Sequence, residues 1–258
     1  LNNILNQSPK KFLSQNYLID ENIAANIVKS FKIKKNDFIL EIGSGKGALT
    51  KYILEYTKNL IAVEIDNHNY TFLKQNFPEI IIINNDFLKI SLSDIYEKYN
   101  NKIRVIGNIP YKITSPILFK LIENRDYIKD AQLMVQEEVA QRIIAKPNSK
   151  KYGIPSVLIN TFAETEQKFK VSKNCFYPKP NVESRIIYLD FSCSQASKIK
   201  DIIFFIKLVK KAFNTRRKKL KNSLKQLDAD LSKTSIDLNR RAENLTIEEF
   251  IIISNELC

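Results

Sequence analysis

The sequence predicts an α/β protein, a doubly wound parallel sheet followed by a small helical domain, and three features carry that expectation. Apolar runs at 38–40, 60–63 and 80–83 are continuous rather than alternating, as in strands covered on both faces, and 103–107 and 132–135 read as the fourth and fifth strands. The first run empties into Glu41-Ile42-Gly43-Ser44-Gly45-Lys46-Gly47, where three of the chain's five glycines fall within five residues. Composition then shifts at Ser192-Cys193-Ser194-Gln195-Ala196-Ser197, and 199–258 reads as helical by period and dense in charge. The expected domains are therefore 1–191, holding the sheet, and 192–258, helical.

In chain order, Lys10 to Leu18 form a polar and aromatic segment that either folds over a ligand or serves as a basic arm stapled to the first helix. Asp20 is placed to cap that helix, along which Ile23, Ile27 and Val28 share one face. The glycine loop then lets backbone N–H groups approach a ligand closely, because no Cβ stands in the way. A P-loop is excluded, since Gly47 rather than Ser or Thr follows Lys46 and Glu41 stands where the first glycine belongs. A dinucleotide site remains open: Gly43-x-Gly45-x-x-Ala48 fits the relaxed fingerprint and Glu64 ends the next strand, placed for ribose hydroxyls. An S-adenosylmethionine site uses the same geometry, and Glu41 suits a cationic sulfonium and amino group better than a diphosphate. A plain turn is the third reading, although glycine costs roughly 0.5–1 kcal/mol where it is not needed.

Glu64 and Asp86 are expected at successive strand ends on the ligand side, with His68 on the surface just inside the following helix. The run from Ile103 ends in Asn108-Ile109-Pro110-Tyr111. Its amide offers donors and an acceptor, its proline a carbonyl without a competing N–H, and its tyrosine a π face; together these suit a planar heterocycle bearing an exocyclic amine. Asn and Pro are also ordinary turn residues. Beyond it, 117–121 reads as a helix, and Ser156–Thr161 and Val182–Leu189 as the last two strands.

Lys+Arg 41 against Asp+Glu 28 gives a net charge of +13 in 258 residues, an excess that points to a polyanionic partner, or else to a lysine bias of the whole chain. Arg216, Arg217, Lys218, Lys219 and Lys221 concentrate it, as an RNA-facing helix or a solvated face. Cys175, Cys193 and Cys258 are widely spaced with one histidine in the chain, a pattern of reduced thiols in a cytosol rather than a disulfide framework or zinc site. No apolar run reaches membrane-spanning length, and the start lacks the pattern of a signal peptide.

Gln15-Asn16-Tyr17-Leu18, the loop Glu41 to Thr50, Asn108-Ile109-Pro110-Tyr111 and Phe176-Tyr177-Pro178-Lys179-Pro180-Asn181-Val182-Glu183-Ser184 resemble the ribosomal RNA adenine N6-dimethyltransferase family, nearly end to end. Met134 to Arg142, Lys146 to Gly153, Ala212 to Lys218 and Arg241 to Leu245 are more similar to its bacterial small-subunit branch than to the erythromycin-resistance branch. Ser14, Tyr17 and Ser44 stand where Gly, Phe and Pro are usual, and Ile109, where the small-subunit branch prefers Leu, is shared with the resistance branch. The resemblance implies a Rossmann-like class I methyltransferase sheet, S-adenosylmethionine as cofactor, and a product of dimethyladenosines at two adjacent positions near the 3′ end of 16S rRNA, formed in the assembling 30S particle. It implies that Asn16, Leu18, Gly43, Gly45, Glu64, Ile65, Asp86, Phe87 and Asn108 line the cofactor. Asn108 and Pro110 would hold the target amine, Tyr111 and Phe176 would stack on the base, and Arg216, Arg217, Lys218 and Lys219 would contact RNA. A cytoplasmic monomer without metal or membrane is expected. A resistance-type 23S rRNA enzyme, a non-catalytic nucleic-acid-binding factor of the same fold and a nicotinamide-dependent oxidoreductase are the alternatives.

Overall fold

A computed structural model describes residues 15–258; the expectations for Lys10 to Ser14 fall outside them. The described strands are β1 (Tyr17–Leu18), β2 (Phe38–Ile42), β3 (Leu60–Val63), β4 (Ile81–Ile83), β5 (Ile103–Asn108), β6 (Ile128–Gln136), β7 (Glu164–Val171), β8 (Phe176–Tyr177) and β9 (Ser184–Asp190). Seven form one sheet in the order β4-β3-β2-β5-β6-β9-β7, and β1 pairs separately with β8. The pairs β2/β3, β2/β5, β3/β4 and β5/β6 are parallel. From β2 the chain winds outward through β3 and β4, then returns to lay β5 on the other side of β2. The winding direction reverses between β2 and β5, and the carboxyl ends of those strands open the crevice in which doubly wound folds bind ligands.

Every residue of β2 and β3 is buried, which explains their unbroken apolar runs. Burying each such Leu, Ile or Val side chain contributes about 1.5–3 kcal/mol. β5 fits against β2 only with glycine at 107, because a Cβ there would lie 2.7 Å from the Ile42 carbonyl oxygen. At the amino end of the same strands the buried Arg104 guanidinium donates to Asp130 Oδ1 and Oδ2 (both 2.8 Å), Asp37 Oδ2 (2.5 Å) and the Phe31 carbonyl (2.9 Å). The helix Glu21–Ser30 begins as expected, with the Asp20 carboxylate accepting from Ile23 N, and it buries Ala24, Ile27 and Val28.

Several expectations are corrected. Ser156–Thr161 is not a strand; it lies within the helix Ile154–Phe162, whose start holds Pro155 and a Gly153 N–H donated to Ser156 Oγ at 3.0 Å. Val157, Leu158, Ile159, Thr161 and Phe162 are all buried, so this helix is apolar around most of its girth and lacks the one-sided period that distinguishes helix from strand. The edge strand beside β9 is instead β7, Glu-Thr-Glu-Gln-Lys-Phe-Lys-Val, a polar segment.

The chain divides into two compact units, and the division does not follow a single boundary at 191. The first runs to Glu137 and takes in Gln167–Leu189; the second comprises Glu138–Glu166 and Asp190–Cys258. Within the second, the helices Ile154–Phe162, Ile202–Asn214 and Ile247–Leu257 pack through Phe162 against Phe205 and Phe213 against Phe250, at ring separations of 6.1 and 5.8 Å. Most of the basic stretch is not helical: Ile202–Asn214 ends before it, Arg216–Lys219 form the turn that follows, and of its five residues Lys221 alone lies in a helix, the short Leu220–Ser223.

Candidate active site

The carboxyl ends of β2, β3, β4 and β5 open into a cavity of about 430 Å³ in the first unit, within the range of small-molecule sites, about 300–1,000 Å³. All nine residues expected to surround a cofactor (Asn16, Leu18, Gly43, Gly45, Glu64, Ile65, Asp86, Phe87 and Asn108) line it, as do Pro110 and Tyr111. They arrive from the turns that follow successive strands and from the segment around β1. Gly43, Gly45 and Gly47 have φ of 67°, 56° and 78°, a left-handed backbone that bends the chain sharply out of β2. Glu64 follows β3, Asp86 lies beyond β4 and caps the turn Phe87–Lys89 through Leu88 N at 2.9 Å, and Asn108 ends β5.

Two carboxylates sit in this cavity almost wholly out of water. Glu41 is 1% exposed, and its Oε2 accepts from Thr50 Oγ1 at 2.6 Å. Burial pushes its pKa up to about 7, against the opposing pull of the Thr50 and Ser44 hydroxyls and with a further push from Glu64. Glu64 is 4% exposed and accepts from Gly45 N and Asp66 N, both at 2.8 Å; burial is the largest cause raising its pKa, and those two N–H groups hold it back. Each of its oxygens keeps a lone pair for a further donor such as a ribose hydroxyl. A buried carboxylate pair in a chain of +13 suits a ligand that carries hydroxyls and positive charge rather than a diphosphate.

The described end of the N-terminal segment, from Gln15, lies along the cavity. Gln15, Asn16, Tyr17 and Leu18 line it, and β1 is held by antiparallel pairing to β8. Tyr17 Oη bonds Gln15 Oε1 at 3.1 Å and meets the Asn69 amide at 3.3–3.4 Å, so the hydroxyl that this chain carries in place of the commoner phenylalanine ties the segment to the helix Asn67–Asn76. Asn108 Nδ2 donates to the Asn16 carbonyl at 3.0 Å, which leaves the amide oxygen as the acceptor offered to a ligand. The Pro110 carbonyl takes Ile113 N at 3.1 Å and retains a second lone pair. Tyr111 lies half-buried at the rim, its hydroxyl 2.6 Å from Ser184 Oγ; burial is the main cause raising its pKa.

Phe176 is not brought to the cavity. Its partner across the β1–β8 pair is Leu18, and its ring belongs to the core, 3% exposed; Tyr177, next along the strand, is 41% exposed. Successive side chains of a strand point to opposite sides, so the core claims the first and releases the second. In this arrangement the Phe176 ring is packed in the core rather than offered to a base. Among the expected RNA contacts, Arg216 is occupied within the second unit: its Nε donates to Glu243 at 2.9 Å and its Nη2 to the Ser149 carbonyl at 3.1 Å. Arg217, Lys218 and Lys219 are exposed. His68 lies exposed at the start of its helix, as expected. The sequence alone does not place Tyr17 Oη or Ser184 at the site; the substitution at 17 is a visible signal for the first, and the place of Ser184 at the end of the motif from Phe176 is the signal for the second.

The family model for ribosomal RNA adenine dimethylase matches residues 6–258. A ribosomal RNA small subunit methyltransferase A of Chlorobium phaeobacteroides (strain BS1) is 44% identical over 249 residues, covering 96% of this chain and 93% of that protein. The protein of the same name from Francisella tularensis subsp. novicida (strain U112) is 42% identical over 255 residues, 96% of this chain and 97% of its own length. Among solved structures, a dimethyladenosine transferase from Plasmodium falciparum superposes with a TM-score of 0.76 at 25% identity, covering 92% of this chain and 95% of that one. The 23S rRNA methyltransferase ErmE, at 21% identity and TM-score 0.66 over 94% and 99% of the two chains, shares the fold.

Proposed function

The chain belongs to the ribosomal RNA adenine dimethylase family, and on that premise we propose that it transfers methyl groups from S-adenosylmethionine to N6 of two adjacent adenosines near the 3′ end of small-subunit ribosomal RNA. The observation that carries this reading is the junction of two chemistries in one cavity: buried Glu41 and Glu64 inside, and Asn108, Pro110 and Tyr111 at its rim. When bound there, S-adenosylmethionine supplies an electrophilic methyl group on a cationic sulfonium. Glu64 accepts its ribose hydroxyls, Asp86 its adenine amine, and the loop from Gly43 to Gly47 leaves room for its amino-acid end.

An exocyclic adenine amine is a weak nucleophile, because its lone pair is delocalised into the ring. The Asn108 amide oxygen and the Pro110 carbonyl accept its two N–H bonds and favour a pyramidal nitrogen whose lone pair points at the methyl group. Tyr111 stacks on the base, an interaction worth roughly 1–3 kcal/mol. The methylated amine sheds its proton readily, so no strong base is required, and no histidine is needed at the rim. Rate comes from alignment, which can supply on the order of 7–11 kcal/mol. A base inside a helix cannot reach this rim, so the substrate is an extruded adenosine, with the exposed Arg217, Lys218 and Lys219 holding phosphates.

Transfer of labelled methyl groups to small ribosomal subunits lacking the modification, with large subunits as control, tests the proposal. Two adjacent dimethyladenosines in the small-subunit RNA are expected. Preferential labelling of the large subunit would replace this reading with the resistance-type one, and no labelling of either would favour a binding factor.

A further inference from the structure

We infer that Ser184 is a positioning residue for the transfer, holding the far end of the Tyr111 ring through the hydroxyl–hydroxyl bond that joins them at 2.6 Å. Tyr111 begins a single 3₁₀ turn, Tyr111–Ile113, an element with little hydrogen-bonded backbone of its own to set a ring's tilt. Ser184 is the opposite kind of anchor: it is fully buried, at 0% exposure, and is the first residue of β9, an interior strand of the sheet. Its neighbours hold it from both sides. The Glu183 carbonyl accepts from Glu137 N at 3.0 Å, the Glu183 carboxylate accepts from Lys173 N at 2.8 Å, and Arg185 forks onto Glu137 at 2.8 and 3.1 Å.

A phenol ring that stacks on a base contributes to alignment only if its plane is set before the base arrives; otherwise ordering it opposes binding. Tyr111 turns about two side-chain bonds; its hydroxyl lies on the axis of the second, so the bond to Ser184 fixes the first by holding the far end of the ring, and it biases the second because a phenol O–H prefers the plane of its ring. Burial adds to the constraint on the serine side, since the fully buried Ser184 hydroxyl has no bulk water to take in place of this partner. The motif that ends in Glu183-Ser184 thus acts on the base through its serine, by way of Tyr111, while its Phe176 stays in the core.

This inference rests on the proposed stacking of Tyr111 on the target adenine, and its test separates the two. Ser184→Ala, Tyr111→Phe, the double variant and Ser184→Thr are compared for single-turnover methyl transfer to unmodified small subunits at saturating S-adenosylmethionine, with cofactor Kd measured in parallel. Ser184→Ala and Tyr111→Phe should each slow transfer about tenfold, the equivalent of one net hydrogen bond. The double variant should be no slower than either single one, Ser184→Thr should recover most of the rate, and cofactor Kd should stay within about twofold throughout. Losses that multiply in the double variant, an unchanged rate in Ser184→Ala, or a lowered melting temperature and weakened cofactor binding with the rate intact would overturn it, the last by reducing the bond to a structural clasp. Tyr111→Phe removes the same bond from the half-buried side, so the cycle stays decisive against Ser184→Thr if Ser184→Ala fails to fold. A wild-type protein that labels large subunits instead would overturn the reading of substrate, and the same cycle would then be measured on that RNA.

Discussion

The two ends of the β2–β5 pair each bury charge, and they do so in opposite ways. At the amino end Arg104 lies between Asp37 and Asp130, stacked 4.2 Å over the Phe31 ring, with backbone carbonyls of Phe31 and Lys32 taking its remaining donors. One guanidinium is paired with two carboxylates there, all five of its N–H groups are taken, and the cluster is closed. At the carboxyl end Glu41 and Glu64 carry like charge, and what opposes the cost of burying them is the hydroxyls of Thr50 and Ser44, the Asn69 side chain and backbone N–H groups rather than a cation. A closed cluster serves the fold. An acidic pair held in this way keeps carboxylates buried at the expense of stability, which is reasonable where the balancing charge arrives with a ligand.

Breaking the closed end should have the largest effect. Arg104→Met leaves Asp130, 1% exposed, without its guanidinium, and should cost about 3–5 kcal/mol in denaturant unfolding while leaving cofactor affinity unchanged in the folded fraction. A loss of cofactor binding equal to the loss of stability would erase the distinction between the two ends.

Glu41→Gln should act in the opposite sense. Because the folded-state pKa of Glu41 lies near 7, above its ordinary value, the folded protein holds a proton that the unfolded chain has released. Its contribution to stability is full below the ordinary carboxylate range and is lost as pH rises through about 7. At pH 8 the glutamine variant should therefore be more stable than wild type, by up to about 3 kcal/mol, with the advantage shrinking toward pH 5. Thermal melts across that range check the sign; an advantage that grows on acidification would contradict it. Glu64→Ala should weaken S-adenosylmethionine binding by about 1.5–3 kcal/mol, as expected for hydrogen bonds to a charged group. Calorimetry showing an unchanged Kd would remove the ribose role.

The smallest effect on the protein itself belongs to a third cluster, the exposed one. Neutralising Arg217, Lys218 and Lys219 should leave stability and cofactor affinity alone and flatten the log–log salt dependence of RNA binding, by nearly one unit for each phosphate no longer neutralised. Arg216 belongs outside that set, since its substitution would break the bonds to Glu243 and Ser149 and confuse folding with binding.

What can be read from the sequence follows from how local its causes are. β2, β3 and β5 announce themselves because both of their faces are covered, and the glycine loop because a left-handed turn demands that residue three times. Asp20 and Asp86 are legible as a cap and a strand end for the same reason. The helix Ile154–Phe162 reads as a strand because its burial on most sides erases the period, and β7 escapes notice because its polar residues resemble a loop. The assignment of Glu138–Glu166 to the second unit, the turn of Phe176 into the core, the capture of Arg216 by Glu243 and the bond from Tyr111 to Ser184 depend on partners 27 to more than 70 residues away, or on the parity of a two-residue strand. No window of local sequence contains them.

Whether the acidic end awaits a positive ligand can be measured as protons. If a cationic ligand settles beside Glu41, the ionised carboxylate is favoured and its pKa falls, so binding near pH 7 should expel the proton that burial had retained. Titration calorimetry of S-adenosylmethionine in buffers of differing ionisation enthalpy should show a net release of about half a proton per cofactor at pH 7. The release should be smaller for S-adenosylhomocysteine, which lacks the sulfonium charge, and absent in Glu41→Gln. Equal enthalpies in every buffer for the wild-type protein, or a release that persists in the glutamine variant, would contradict the assignment of this end of the sheet to the methyl donor's charge.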